Sequence, residues 1–299
     1  MTQQVQRKPD WLKKALPDGK AMNEMRKMLR GLNLHTICES ALCPNIGECW
    51  GERTATLMIM GEICTRRCGF CDVTTGRPLP LDPNEPENVA KAIADMGLEH
   101  AVITTVTRDD LEDQGARHFA RTIEAVHRLC PDTTVEALIS DFAAREDLLA
   151  IVLEARPEVL AHNLETVERL HRKVRPRFRY ERSLEVLAIS RRLAPDVWTK
   201  SNIMVGLGET EEEVIQMMRD LRAVDCDFLT IGQYLRPSAM HLPVVEYVKP
   251  ETFQRYKEIA EDLGFQYVFA GPFVRSSYQA GSALKAAGRR RPVAQSEAR

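Results

Sequence analysis

Long apolar runs are missing from this chain. Its best stretch, AVITTV at 101–106, falls far short of the ~18 residues a membrane helix needs. A helical membrane protein is therefore not expected. The opening residues, MTQQVQRKPDW, lack the apolar core of a secretory signal, so no export is expected and the chain reads as cytoplasmic. Net charge is only −2 over 299 residues, which indicates no nucleic acid or other polyelectrolyte partner for the chain as a whole. A dinucleotide fingerprint is missing too. MVGLGET at 204–210 offers Gly206 and Gly208, but Glu211 stands where a third glycine is needed. No internal repeat is visible.

Charge is small in sum but uneven. Residues 1–31 carry eight Lys or Arg against three acids, and residues 165–183 carry seven against three. Residues 208–227 carry seven acids against two bases. Solvated surface accounts for such runs, and so does a basic face that docks an acidic macromolecule.

Hydrophobic periodicity is plentiful. Met22, Met25, Met28, Leu29 and Leu32 recur at helical spacing after a turn at Pro17-Asp18-Gly19. From residue 56 onward, strands alternate with helices: TLMIMGEI, AVITTVT, TTVEALI, EVLAHNL, VWTKSNIMVGL, DFLTIGQYL and FQYVFAG are the strands. Thr210 and Glu213 form a capping box before a helix with Val214, Met217, Met218 and Leu221 inward. Alternation of this kind predicts parallel strands joined by right-handed crossovers, hence an α/β fold. Six or seven units predict a partial (β/α)6-type TIM barrel over 56–270, with an N-terminal extension (1–55) and a C-terminal one (271–299). The polar tail AAGRRRPVAQSEAR is expected to be disordered. Glu136, His162, Asn163 and Gln233 sit at strand ends and are expected at the chemistry-bearing rim.

Eight cysteines without an export signal read as metal or redox groups before they read as disulfides. Six fall in two triads: Cys38, Cys43 and Cys49, then Cys64, Cys68 and Cys71. Each triad is one ligand short of a tetrahedral metal or a cubane cluster. On spacing alone, the first could be a zinc site completed by His35 or Cys64. Cys130 and Cys226 could also complete two four-cysteine clusters, although each sits where a small buried residue is expected. The second triad follows the first strand directly. Three thiolates on a [4Fe–4S] cube leave one iron open to an amine and a carboxylate.

Cys-x3-Cys-x2-Cys, with Phe70 before its last cysteine, resembles the radical S-adenosylmethionine (SAM) superfamily. The double triad resembles the lipoyl synthase family. So do CPNIGECW, TTVTRDDLEDQGA, HNLETV, VRPRFRYERSLEVL, MVGLGET, HLPVVEYVKPE and GPFVRSSYQAG, which together span roughly 36–281. The resemblance implies two [4Fe–4S] clusters and S-adenosyl-L-methionine as cofactors. Cys64, Cys68 and Cys71 would hold the catalytic cluster. Cys38, Cys43 and Cys49 would hold an auxiliary one, completed by Ser277 of Arg275-Ser276-Ser277-Tyr278. A serine oxygen is a hard ligand on a metal that prefers thiolate, so that corner should be labile. On residue type alone Ser277 is better read as a turn cap, and only the resemblance reverses that.

The implied reaction is insertion of two sulfurs, at C6 and C8 of an octanoyl chain, with the auxiliary cluster as sulfur donor. The chain is carried on a lysine of a lipoyl carrier domain, as in 2-oxoacid dehydrogenase E2 subunits and glycine cleavage H protein. An electron donor and an iron–sulfur cluster carrier are further implied partners. Glu136 and Asn163 are candidates for contact with SAM, as is Phe70. Arg172, Lys173 and Arg175 are candidates for docking the carrier. The family has Lys-Ser-Gly where this chain has Lys200-Ser201-Asn202, which puts any backbone role of that glycine in doubt. Other sulfur-inserting radical enzymes, biotin-synthase-like or methylthiotransferase, are the alternative, and an electron-transfer protein is the non-enzyme reading.

Overall fold

A computed structural model describes residues 7–14 and 19–293. Pro17, Asp18 and the last six residues of the tail lie outside the described residues. After a short 3-10 turn (Asp10–Leu12), the first helix is α1 (Gly19–Gly31), which buries Met22, Met25 and Leu29. Then come β1 (His35–Thr36), α2 (Ile37–Ser40) and α3 (Ile46–Gly51).

The alternating body follows: β2 (Thr56–Ile59), a small ribbon of β3 (Ile63–Cys64) and β4 (Thr74–Thr75), α4 (Glu85–Met96), β5 (His100–Thr105), α5 (Ala116–Leu129), β6 (Thr134–Leu138), α6 (Glu146–Glu154) and β7 (Val159–Ala161). It continues through α7 (Glu168–Val174), α8 (Tyr180–Leu193), β8 (Trp198–Val205), α9 (Glu211–Ala223), β9 (Phe228–Gln233), α10 (Pro250–Asp262) and β10 (Tyr267–Gly271). Helix α11 (Gly281–Ala287) closes the order.

The main sheet runs β1-β2-β5-β6-β7-β8-β9-β10. From β2 to β10 every pairing is parallel; only β1 is antiparallel. β1 and β10 do not pair, so the barrel is open, and the seven parallel strands are those read from the sequence. Strands covered on both faces are buried throughout, as β9 is over Phe228–Gln233.

The helices cover the outside. α5 places Phe119, Ile123 and Val126 at helical spacing, all fully buried. Each such side chain contributes ~1.5–3 kcal/mol. α4 stops at Gly97, whose φ of 67° is the left-handed C-cap that glycine adopts without strain. The capping box at Thr210 and Glu213 is formed, and α9 buries Val214, Met217, Met218 and Leu221. Among the described residues no helix is long and apolar enough to cross a membrane.

The described part of the tail, residues 286–293, departs from expectation. Arg289, Arg290 and Arg291 are ordered against the N-terminal end of the barrel. Arg289 Nε donates to Glu158 at 3.0 Å and Arg290 Nη1 to Pro157 O at 2.9 Å. Arg291 bridges Asp227 at 2.9 Å and Asp225 at 2.6 Å. Trp198, stacked on Phe228 at 5.0 Å, donates to Gly288 O at 2.9 Å. A stretch without hydrophobic period is held by charge, which periodicity does not register.

Glu136 is also not where the sequence placed it. It lies inside the barrel on the same face of β6 as Leu138, two residues deeper. Lys200 Nζ donates to both its carboxylate oxygens at 2.8 and 2.9 Å, and both side chains are almost fully buried. Burial pushes this carboxyl up, but Lys200 and His100 outweigh it and hold the group below its ordinary range. Its charge is neutralised by the barrel floor.

Candidate active site

β2 is followed by Met60 and Gly61, both with left-handed φ (68° and 86°), and the turn throws the chain across the C-terminal mouth of the barrel. The loop that follows carries Cys64, Cys68 and Cys71, and it is tied down at many points. Thr65 N donates to Thr107 O at 3.1 Å and Gly69 N to Val174 O at 2.8 Å. Arg66 forks onto Asp109 at 2.6 and 2.8 Å, reaches Asp141 at 2.8 Å and lies over the Phe178 ring at 4.3 Å. At Gly69 an added Cβ would stand 2.9 Å from the Leu242 side chain, which would have to shift to make room.

The first triad is held from both chain ends. Thr36 Oγ1 caps α2 at Glu39 N, 3.4 Å away. Asn45 Nδ2 donates to Phe273 O at 2.7 Å, and Tyr278 OH donates to Glu48. Lys14 Nζ donates to Asn45 and Glu48 at 2.7 and 2.6 Å, and sits 4.9 Å from the Phe273 ring centroid. The Arg-Ser-Ser-Tyr segment, over two hundred residues downstream, is thereby laid beside Cys38, Cys43 and Cys49. Thr56 Oγ1 donates to Ser277 Oγ at 2.7 Å, while Ser276 Oγ donates to Asn163 Oδ1 at 3.0 Å.

Two adjoining cavities result. The upper one, about 490 Å³, is lined by Cys38, Cys43, Cys64, Cys68, Cys71, Phe70, Asn163 and Ser277 among others. The lower one, about 400 Å³, is lined by Cys38, Cys43, Cys49 and Ser277 but by none of the second triad. Glu136 lines neither, and neither does His35, which lies 3.6 Å from Glu62. Cys130 and Cys226 stand apart as well; Cys226 is fully buried behind β9. All eight cysteines are free thiols. No three His, Cys, Asp or Glu side chains among the described residues converge as the ligands of one metal ion would.

Sequence reasoning missed the electrostatics of this site. Arg175, read as a docking residue, is buried. Its Nη1 donates to Asn163 O at 2.6 Å, its guanidinium lies 3.7 Å from the Phe178 ring centroid, and its charge stands beside Cys68. Its Nε is buried with no hydrogen-bond partner. Arg275 is likewise desolvated, with the Cys43 side chain and Glu165 as its neighbours. Neither makes a salt bridge to a carboxylate among the described residues. Glu165 joins them. Its carboxylate accepts from Asn163 Nδ2 at 3.0 Å and Asn202 Nδ2 at 3.3 Å, and burial raises its pKa. Asn202 adds its side chain to the cavity wall. A stretch of six arginines and one lysine reads as surface, and nothing in it marks which residue turns inward.

Burial also pushes up the thiols: Cys38 and Cys71 to about 12, Cys49 and Cys68 to about 11. They hold protons that a metal centre must displace. Six thiols, one hydroxyl and two desolvated guanidiniums form a donor set suited to thiolate-bound, anionic iron–sulfur clusters.

Residues 58–221 match the family model described as Radical SAM superfamily, and residues 1–43 match the N-terminal domain of lipoyl synthase of that family. A lipoyl synthase of Caldanaerobacter subterraneus is 55% identical over 281 residues, 94% of this chain and 98% of the relative. One from Thermus thermophilus is 56% identical over 275 residues, 91% and 85% of the two chains. This chain belongs to the lipoyl synthase family. As a member it is a radical SAM sulfurtransferase that works with S-adenosylmethionine and [4Fe–4S] clusters.

The fold is shared more widely. Methylornithine synthase superposes with a TM-score of 0.55 at 14% identity, covering 85% of this chain and 83% of its own. HydG, a maturase of the [FeFe]-hydrogenase, gives 0.55 at 13%, covering 90% and 60%.

Proposed function

We propose that Cys64, Cys68 and Cys71 hold the catalytic cluster, and that Cys38, Cys43, Cys49 and Ser277 hold the auxiliary one. The substrate is an octanoyl chain on a lysine of a lipoyl carrier domain. When bound, the clusters and SAM supply the radical chemistry and the sulfur inserted at C6 and C8.

The chain's own residues do the rest. Arg175 and Glu165, with Asn163, present a charged and hydrogen-bonding wall beside Cys68 for the zwitterionic end and sugar of the cofactor. Phe70 supplies apolar surface there. Arg275 balances negative charge near Cys43. Thr56 holds the Ser277 hydroxyl at 2.7 Å and so orients the oxygen that completes the second site. The cavity walls exclude water from the reacting carbons. Residues 7–14 and 19–55, together with residues 271–285, act as one clamp for the auxiliary cluster beside the barrel. Carriers of the 2-oxoacid dehydrogenase and glycine cleavage type fit this reading, with a cytoplasmic electron donor and cluster carrier.

One observation carries the reading: Ser277 stands on the wall with Cys38 and Cys43 that faces the cavity of the other triad. The test is anaerobic incubation of reconstituted protein with an octanoyl-lysine peptide, SAM and dithionite, read by mass spectrometry. Wild type should yield peptide with two added sulfurs. Ser277→Ala should cleave SAM yet add no second sulfur. Full sulfur insertion by Ser277→Ala would remove that residue from the site; an unchanged peptide with wild type would sink the substrate assignment.

A further inference from the structure

The two cavities share five wall residues: Cys38, Cys43, Thr56, Arg275 and Ser277. These are the partition between them. They face opposite ways along the barrel. The upper cavity is lined on β5 by Thr104 and Thr105, at the C-terminal end of that strand. The lower is lined by His100 and Val102 and by the loop 96–99 that enters it. Glu52, Thr54, Glu99, Gln279 and Lys285 on its wall are exposed, so it opens to solvent on that side. Its volume of about 400 Å³ far exceeds the ~10–15 Å³ that one water needs, so with this polar, exposed rim it is a passage water can fill.

Charge separates the two further. The upper cavity is lined by Lys8, Arg66, Arg175, Arg236 and Arg275 against one carboxylate, Glu165. Arg66 is neutralised by Asp109 and Asp141, but the balance stays cationic and repels divalent iron. The lower cavity carries Glu52 and Glu99 against Lys285 and Arg275, and Glu99 is already paired with Lys285 at 2.9 Å. Glu52 stands at its rim with no ion-pair partner among the described residues.

We propose that iron travels to and from the first triad through the lower cavity, on the side away from the radical cavity. This rests on the reading that Cys38, Cys43, Cys49 and Ser277 hold the auxiliary cluster. It adds that the cluster has its own door. Iron can then reach a spent site without passing through the space that cofactor and acyl chain fill.

The test uses the full chain with Cys64, Cys68 and Cys71 changed to Ala, so that only the first triad holds iron. After anaerobic reconstitution, iron loss to a hydrophilic chelator is timed from the decay of the cluster absorbance. Ser282→Trp, on α11, fills the lower cavity; Leu235→Trp fills the upper. Ser282→Ala controls for folding, and Glu52→Lys alters the rim charge without changing bulk. Ser282→Trp should slow iron loss by about tenfold, or ~1.4 kcal/mol on the barrier. Leu235→Trp and Ser282→Ala should match the parent. Glu52→Lys should slow iron uptake at low salt, with the difference closing as salt is added. Slowing by Leu235→Trp alone overturns the proposal, as does an unchanged rate in both tryptophan variants. A parent chain that takes up no iron instead removes the ligand assignment beneath it.

Discussion

Arg175 and Lys200 illustrate how little residue type says about environment. Each sits in a basic or polar stretch, and each is buried. Lys200 and Glu136 neutralise one another inside the barrel, so removing one leaves an uncompensated charge. Lys200→Met should cost ~3–5 kcal/mol, whereas the double change Glu136→Met/Lys200→Met should recover most of it. Urea unfolding of wild type, Lys200→Met, Glu136→Met and the double variant measures the difference, and a double loss equal to the sum of the two single losses would show that the pair is not coupled. Arg175→Ala should weaken SAM binding and lower cluster retention at the second triad. Arg172→Ala, whose side chain is exposed, should leave both unchanged in the same titration and iron assay.

At the scale of elements, the arginine strap at 289–291 joins α11 to the strands it covers. Burial alone would raise the Glu158 carboxyl. His127, the Val135 amide and Arg289 outweigh it and hold the group at about 2, below the unfolded 4.5. A depressed carboxylate contributes stability that is present above about 4.5 and lost as pH falls toward about 2. Changing Arg289, Arg290 and Arg291 together to Ala should therefore lower the melting temperature at neutral pH, and the gap to wild type should narrow in acid. A constant gap across that range would assign the loss to packing instead. Helix α9 offers a smaller test: Thr210→Ala removes the capping box and should cost about 1 kcal/mol.

Over the whole molecule, two buried imidazoles set an acid limit. Burial, then the charge of Arg175, holds His162 at about 4 and His171 at about 3, against 6.5 unfolded. Below 6.5 the unfolded chain takes up protons that the folded chain refuses. Stability should fall from about pH 6.5 downward, steepening until about 4. Thermal melts across that range check it, and a flat profile down to pH 5 would contradict it. Of the three residues read as candidates for docking a carrier, Arg172 and Lys173 are exposed while Arg175 is not. Charge reversal at the first two should raise KM for a carrier domain and weaken its salt dependence, leaving kcat near wild type.

Much of this was legible in one dimension. The seven parallel strands announced themselves as Val, Ile and Leu runs between amphipathic helices, because burial on both faces leaves no other pattern. The six cysteines stood out because a cluster would demand thiols at short spacing, and the family segments around them brought Ser277 into the same proposal. What the sequence could not determine is what folding alone brings together. Ser277 meets Thr56 across 221 positions, and Arg289 meets Glu158 across 131. Arg175 turns inward among six other basic residues that have no need to. Glu136 lies two residues below the mouth rather than at it. The partition between two cavities is made by side chains from both ends of the chain, so no local window contains it. Local spacing reports periodicity and ligand type, while charge pairing across the barrel depends on distances that only the closed-up chain defines.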